Sequence, residues 1–546
     1  MVNPSVEAGF AFTTPLFVLG LPLLVGLILS VVMEYLLTPQ SRPIWKRPCV
    51  SLLLHLGSWL LLYAAELVLF RRPWFAMGNV LAIQLLIVLV NNAKYHAMRE
   101  PFLVHDFEYF TDAIKHPRLY LPFFGILNAL LAFCAFIGVL VAGVILEPSV
   151  FSAQAVLAGI GTGQVITVWA LLLFAAVVAI AIGFAVRQQA LSLIPEQDYQ
   201  QLGQIGFLWH YGILHFTQPA IPAIDPWLTV LPDEADVEKL PDVVVVQSES
   251  FFDARAEYPI LKSSVLTEFD QLCESSSCWG ALTVPAWGAN TIRTESAFLT
   301  GKLAADFGVH QFSPYRYFMK QSQRTVAHAL RELGYRTVCI HPYPASFYLR
   351  DQLYPAMGFD EFIDQKAFSE ADKEGQYMGD IAVAERVKSL LNAESSAPLF
   401  IFVITMENHG PLHLEKPSPS DQLDFYYDRQ PAGCDDLTVY ARHLKNADTM
   451  AVMLKESLAD RANGGVLAWY GDHVPIMTNV YRELGMPKGE TRYFVWTDRM
   501  HDDVSSTDVS EPALYTATPA TQKDISELSG ALLRVVSNRY QLMLDS

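Results

Sequence analysis

Positive charge is scarce in this chain: Lys and Arg number 38 against 56 Asp and Glu, a net charge of −18 over 546 residues. That balance argues against nucleic acid as a partner. It also gives the chain no general attraction to anionic headgroups, so any work on lipid must be done locally. Cysteine is scarce too, with six residues and no spacing that suggests a zinc site. Cys273 and Cys278, in "CESSSC", are close enough in sequence to pair outside the cytosol, and two unrelated thiols fit equally well. The N-terminus lacks a basic n-region and a small-residue cleavage site, so the first apolar run is not read as a removable signal peptide.

Apolar residues are abundant. They make up 52% of the chain, and the mean hydropathy is +0.25. The excess sits before residue 190, in runs at 15–37, 49–70, 74–91, 121–146 and 163–186. Each approaches or exceeds the roughly 20 residues that cross a bilayer. The expectation is a transmembrane domain over 1–190 with about five helices, an interfacial helix and linker over 191–240, and a catalytic domain over 241–546. Glu34 and Glu66 are the few charges inside the runs, and no pair of broken helices appears, which leaves a transporter least supported. Arg42, Lys46 and Arg47 in one loop and Lys94, Arg99, Lys115 and Arg118 in another place those loops, and the C-terminal half, in the cytoplasm by the positive-inside rule.

After residue 240 the pattern changes. "DVVVVQSES", "YRTVCIHPYP", "PLFIFVITMENHGP" and "GGVLAWYGDHVP" hold strand-length runs, the last three each following a helical stretch. Runs apolar on both faces suit parallel strands covered by helices, which predicts an α/β fold with a mainly parallel central sheet. Each run ends in reactive side chains: Glu249, His341, Glu407 to His409, and Asp472 with His473. Ligands of open parallel sheets bind at the carboxyl ends of the strands, so these residues point to one shared site.

Two carboxylates and an imidazole (Glu249, Asp472, His473) suit a divalent transition metal better than Ca²⁺. A hydroxyl is the fourth ligand wanted, and Thr291 in "GANTIRTESAFLTG" supplies it. Coordination would lower its pKa and make it a nucleophile. The plainer reading of the segment alone is a helix start, with Thr291 as N-cap and Thr294 or Glu295 closing a capping box. Arg293 fits equally a phosphate or Glu295, Glu295 is read as a backbone partner, and Glu407 as a loop acceptor. His413, His443 and His501 are read as surface residues. "HDDVSSTDVSEPALYTATPATQKD" reads as a loop near the site, and "DISELSGALLRVV" as a closing helix capped by Asp524.

The ordered set "QSES … NTIRTESAFLTG … SFYLRD … ENHGP … GDH" resembles the lipoteichoic acid synthases and the periplasmic glucan phosphoglycerol transferases, within the sulfatase/alkaline phosphatase superfamily. The likeness covers nearly the whole chain. It implies an α-helical membrane domain joined to a sulfatase-like α/β domain placed outside the cytoplasm, against the Lys/Arg count. It implies metal ligation by Glu249, Thr291, Asp472 and His473, with Mn²⁺ ahead of Mg²⁺ or Zn²⁺. Thr291 would attack phosphatidylglycerol and carry the phosphoglycerol group to a glycan or polyglycerolphosphate acceptor. His409 would hold the phosphate and assist proton transfer, with Arg350 and Tyr348 contacting the substrate. The sequence departs from the family's pattern at Tyr348, where the synthases carry Trp, and at Tyr343 and Met477, where glycerol-binding Asp and Ser stand. Phosphoryl transfer therefore stands on firmer ground than glycerol as the headgroup. A phosphoethanolamine transferase, or an inactive lipid- or glycan-binding scaffold of this fold, are the alternatives.

Overall fold

The computed structural model describes residues 4–109, 126–153, 160–185, 191–222, 226–227, 230, 235–498 and 520–545. The chain forms two compact units, Met1–Gln218 and Pro219–Ser546.

The first unit is helical: α1 (Pro4–Met33), α2 (Cys49–Phe70), α3 (Pro73–Met98), α4 (Ile126–Leu146), α5 (Thr162–Ala185) and α6 (Pro195–Thr217). Among the described residues four stretches are long and apolar enough to cross a membrane: Phe17–Leu36, Cys49–Phe70, Pro73–Met98 and Thr162–Ala185. The run expected at 121–146 is helical over Ile126–Leu146, and its first five residues lie outside the described ones. Small residues set the packing of α2 on α5. A Cβ at Gly57 would fall 3.1 Å from the Ala176 carbonyl oxygen, so glycine lets the two backbones meet. The acids within the spans are partnered. Glu34 pairs with Arg47, and Glu66 accepts a hydrogen bond of 2.8 Å from the Asn79 amide. Helix α6 breaks at Gly203, whose φ of 71° suits glycine, and it packs along α2 through a 2.7 Å bond from the Trp209 indole to Ser58.

The second unit has ten strands among its described residues. These are β1 (Asp242–Ser248), β2 (Cys278–Thr283), β3 (Arg336–Ile340), β4 (Glu361–Ile363), β5 (Lys373–Glu374), β6 (Tyr377–Met378), β7 (Leu399–Ile404), β8 (Gly465–Gly471), β9 (Thr491–Thr497) and β10 (Lys523–Asp524). Eight form one sheet in the order β10-β2-β9-β8-β1-β7-β3-β4, while β5 and β6 make a small hairpin. The four runs read from the sequence are its centre: β8, β1, β7 and β3 lie side by side and parallel. Their burial on both faces explains why they read as unbroken apolar runs. β9 runs antiparallel to both neighbours, β8 and β2, and makes the sheet mixed. Apolar clusters cover each face, one filled by Val244, Val246, Ile401 and Trp469, the other by Val243, Val245, Phe402 and Tyr470. Val243 and Val244 thus serve opposite faces, as period-two geometry requires.

Among the covering helices are α7 (Thr291–Thr300), α8 (Arg350–Ala356), α9 (Asp380–Leu391), α10 (Asp435–Ala459) and α11 (Ile525–Asp545). Asp524 caps α11 by accepting from the Ser526 amide at 2.9 Å. Most of the Ser/Thr-rich segment before it, together with His501, lies outside the described residues. All six cysteines are separate thiols; Cys273 is buried, which pushes its thiol up to about 12.

Candidate active site

The register of the sheet brings the site together. Ser248 on β1 stands opposite Gly471 on β8, so the residues that follow each strand, Glu249 and Asp472, emerge side by side. Ligand atoms of Glu249, Asp472 and His473 all lie within 4.8 Å of one another, and all three side chains are buried. The His473 Nε2 is 3.3 Å from Asp472 Oδ2 and 3.6 Å from Glu249 Oε1. Thr291, half-buried at the first turn of α7, has its Oγ1 3.4 Å from Glu249 Oε2.

Helix α7 starts differently from a capped helix. Asn290 occupies the N-cap in the left-handed region (φ 67°) with no side-chain cap, and Thr291 is the first helical residue. The capping box does not form. Thr294 donates to the Asp472 backbone carbonyl at 2.7 Å, which ties α7 to the end of β8. The Thr291 hydroxyl is left to the carboxylates, at a helix start whose dipole favours an anion.

Residues that sequence reading passed over hold this corner in place. Ser250, in a positive-φ turn directly after Glu249, donates its amide to Asp472 Oδ1 at 2.7 Å and its hydroxyl to Glu249 Oε1 at 2.9 Å. Thr405, just past β7, accepts from the Glu249 amide at 3.0 Å. Their only signal was adjacency to a strand end.

The electrostatics fit a cation. Burial, and then the neighbouring Glu249, push the Asp472 carboxyl well above the usual range. Burial likewise lowers the pKa of His473, favouring the neutral ring. His473 Nδ1 donates to the Val474 carbonyl at 3.0 Å, which leaves Nε2 as a lone pair facing two acids. Asp472 Oδ2 and His473 Nε2 are buried and have no hydrogen-bond partner. Ligand atoms of all three side chains converge there, and a divalent ion would satisfy them together. A ligating histidine that gives its other N–H to a backbone carbonyl is the usual supporting arrangement.

Arg350 has a different place from the one expected. Its Nη2 and Nε bind Glu295 at 2.7 and 3.3 Å, and its Nη1 faces His341 Nε2 at 3.2 Å. The side chain is 1% exposed, so its fork is spent on the protein rather than held open for phosphate. Glu295 is correspondingly a side-chain partner and not a backbone one: it also accepts from Tyr315, Tyr354 and Gln247. His341 is neutral here, its pKa driven down by burial and then by Arg350, and its Nδ1 donates to the Ile404 carbonyl at 3.2 Å. Tyr348, half-buried, lays its ring 5.4 Å from the Arg350 guanidinium carbon. Arg293 packs over the Phe312 ring at 5.2 Å.

His409 is half-buried. Its Nδ1 donates to the Gly410 carbonyl at 2.7 Å, which leaves Nε2 for exchange. Tyr377 meets it edge-on at 5.1 Å, and Tyr343 lies 6.4 Å from Tyr377, so an aromatic wall stands beside it. Glu407 is a loop acceptor, bonded by the Asp380 amide at 2.7 Å and by Asn446 at 2.6 Å. His443 is buried against Glu415 at 3.2 Å rather than at the surface. Met477 is fully buried in the core.

An acid, an acid–imidazole pair and a helix-initiating hydroxyl thus gather at the ends of parallel strands in an α/β fold. A family model described as "Sulfatase" matches residues 241–525, just over half of the sequence, and the chain belongs to the sulfatase family. Members of this superfamily use a divalent metal, and Glu249, Asp472 and His473 are a group able to hold one. Over 451 residues the chain is 25% identical to the capsular polysaccharide biosynthesis protein RkpI of Rhizobium meliloti, covering 80% of this chain and 79% of that one. It is 29% identical over 251 residues to a putative cyclic beta-1,2-glucan modification protein of the same organism (46% of this chain, 38% of the other). It is also 30% identical over 156 residues to lipoteichoic acid synthase 1 of Bacillus subtilis (28% and 23%).

Proposed function

We propose that the chain is a membrane-anchored, metal-dependent phosphotransferase. It moves a phosphoglycerol headgroup from a phosphatidylglycerol-type lipid to a glycan or glycerophosphate-polymer acceptor, with its catalytic unit outside the cytoplasm. The observation that carries this reading is the buried Glu249–Asp472–His473 corner with two unpartnered ligand atoms, 3.4 Å from a hydroxyl at a helix start. Relatives named for capsule, glucan modification and lipoteichoic acid synthesis support the acceptor class.

In the first step Thr291 Oγ bonds to the lipid phosphorus, and the bond from phosphorus to the diacylglycerol oxygen breaks. The Thr291 hydroxyl gives its proton to water, and the departing oxygen takes a proton from a water molecule held by the His409 Nε2 lone pair. In the second step an acceptor hydroxyl attacks the same phosphorus, the bond to Thr291 Oγ breaks, and the acceptor's proton passes through water to the Thr291 oxygen. A bound divalent ion, Mn²⁺ ahead of Mg²⁺ or Zn²⁺, supplies a lowered hydroxyl pKa and charge neutralisation. The chain's own residues do the rest. Ser250 and Thr294 fix the acids and α7, the first-turn amides of α7 receive the phosphate oxygens, and His409 serves the leaving group. Tyr343, Tyr348 and Tyr377 form the headgroup wall in place of the family's glycerol-binding pair. Arg350 acts by holding Glu295, and through it α7, rather than by touching phosphate.

The test is mass spectrometry of the peptide containing Thr291 after incubation with phosphatidylglycerol vesicles and Mn²⁺. A glycerophosphoryl adduct on Thr291 is expected. An ethanolamine-phosphate adduct, formed only from phosphatidylethanolamine vesicles, would replace the headgroup assignment. No adduct from either lipid would overturn the mechanism.

A further inference from the structure

A groove of about 400 Å³ opens on the second unit, within the size range of small-molecule sites. Asp253, Arg255, Pro259, Ser263, Asp270 and Tyr427 are among the residues that line it. It lies near the candidate active site along the chain. Asp253 is four residues past Glu249, and four residues of backbone span at most about 14 Å.

One side of the groove is a fixed polar network. The Arg255 guanidinium donates twice to Asp253 (2.9 and 3.0 Å), twice to Asp270 (2.8 and 2.9 Å) and once to the Ser263 carbonyl (2.7 Å). These bonds use every N–H a guanidinium has, so none is left for an anion. The Asp253 oxygens are filled as well, by Arg255, its backbone amide and Arg492. Asp270 differs. Each of its oxygens accepts one bond where a carboxylate has room for about four in all, and its side chain is 44% exposed. The other side is aromatic. Tyr427 is 62% exposed and yet held at both ends: its hydroxyl accepts from the Ser263 amide at 3.4 Å, and its own amide donates to the Ile260 carbonyl at 3.1 Å, beside the bridge from Leu261 to Tyr426. A ring already fixed in place loses little freedom when something settles on it.

We infer that this groove binds a neutral saccharide, the acceptor of the proposed transfer; its role as acceptor rests on that reading. A pyranose has a face of C–H groups, which packs on an aromatic ring, and a rim of hydroxyls, which donate to carboxylates. The groove supplies one partner for each, Tyr427 and Asp270. Charge decides between the two acceptor classes. Asp253 and Asp270 are offset by Arg255 and Arg492, so there is no excess negative charge to hold a cation. A glycerophosphate polymer would bring its phosphates against the exposed Asp270 with no N–H of Arg255 free to meet them. A neutral sugar meets neither obstacle.

The probe is a panel of neutral gluco-, galacto- and manno-oligosaccharides, titrated into the full-length protein in a detergent without a sugar headgroup and read by calorimetry and saturation-transfer NMR. Binding by at least one is expected, and equally in Thr291→Ala, since binding does not need turnover. Tyr427→Ala should weaken it roughly tenfold, the scale of covering one ring face. Asp270→Asn should weaken it roughly three- to tenfold, the value of one hydrogen bond. A glycerophosphate oligomer should neither bind there nor displace the sugar. Thermal unfolding checks that each variant is folded, and Tyr427, being exposed, keeps the test decisive if Asp270→Asn is not. Binding by none of the oligosaccharides, equal binding by the glycerophosphate oligomer, or binding unchanged in a folded Tyr427→Ala would each overturn the assignment. Sugar binding as expected in a protein that forms no adduct at Thr291 would uphold the groove and remove only its role as an acceptor site.

Discussion

Two buried charged clusters in the second unit are built in opposite ways. Around Glu295 every charge is met: Arg350 neutralises it, and Tyr315, Tyr354 and Gln247 donate to its oxygens. Around Asp472 the charges are unmet: a second acid crowds it, the neighbouring imidazole is neutral, and two ligand atoms lack partners. Removing charge from water is costly in both places. The first cluster offsets that cost within the protein and serves as a support. The second leaves it open for a cation and a substrate, which separates a binding site from a scaffold more clearly than residue type does.

The largest expected break falls on chemistry alone. Thr291→Ala should lower headgroup transfer by at least about a thousandfold, as for loss of other covalent nucleophiles. Its melting temperature should barely move, because the side chain is half-buried at a helix start; a lipid-headgroup release assay with parallel thermal unfolding reads both. The support should break the other way. Arg350→Met leaves Glu295 buried and unpaired, at a cost of about 3–5 kcal/mol. The double variant with Glu295→Leu should recover much of that stability, and full recovery of activity as well would show that neither residue positions α7.

The open cluster should respond to metal and the closed one should not. Mn²⁺ at about a hundred times its dissociation constant should stabilise the wild type by about 2.7 kcal/mol. Asp472→Asn should lose most of that gain, and Glu295→Gln should keep it. A melting shift that survives Asp472→Asn would place the ion elsewhere.

The smallest effect sharpens the comparison with a third acidic pair. Asp380, at the start of α9, is fully buried with both oxygens unpartnered, and burial and then Glu407 hold its pKa well above the usual range. Glu407 is raised as well, chiefly by burial. Folded pKa values above the unfolded ones mean that the native state binds extra protons. Stability from this pair is thus greatest below the ordinary carboxylate range and is lost as pH rises toward the raised values, by up to about 1.4 kcal/mol per pH unit for one proton. Asp380→Asn should flatten that slope, so its gain in melting temperature should be larger at pH 8 than at pH 5.

Much of the sheet was legible because β1, β3, β7 and β8 are buried on both faces and read as apolar runs that end in polar residues. β2 and β9 were not. β2 is only partly buried, and the antiparallel course of β9 follows from its neighbours rather than its own pattern. The site was legible as residue types at strand ends. Its supports, Ser250 and Thr405, look like any hydroxyl beside a turn until the partner carboxylate and amide are placed.

Composition and periodicity alone separated an apolar helical half from an α/β half and marked the ends of the parallel strands, because hydrophobic burial leaves its period in the chain. They could not find the side-chain partners of Glu295, or give Arg350 to a carboxylate rather than a phosphate. That choice depends on which side chains meet across the 55 residues between Glu295 and Arg350, or the 222 between Ser250 and Asp472. Strand register and helix docking decide it, and both exist only in the folded molecule.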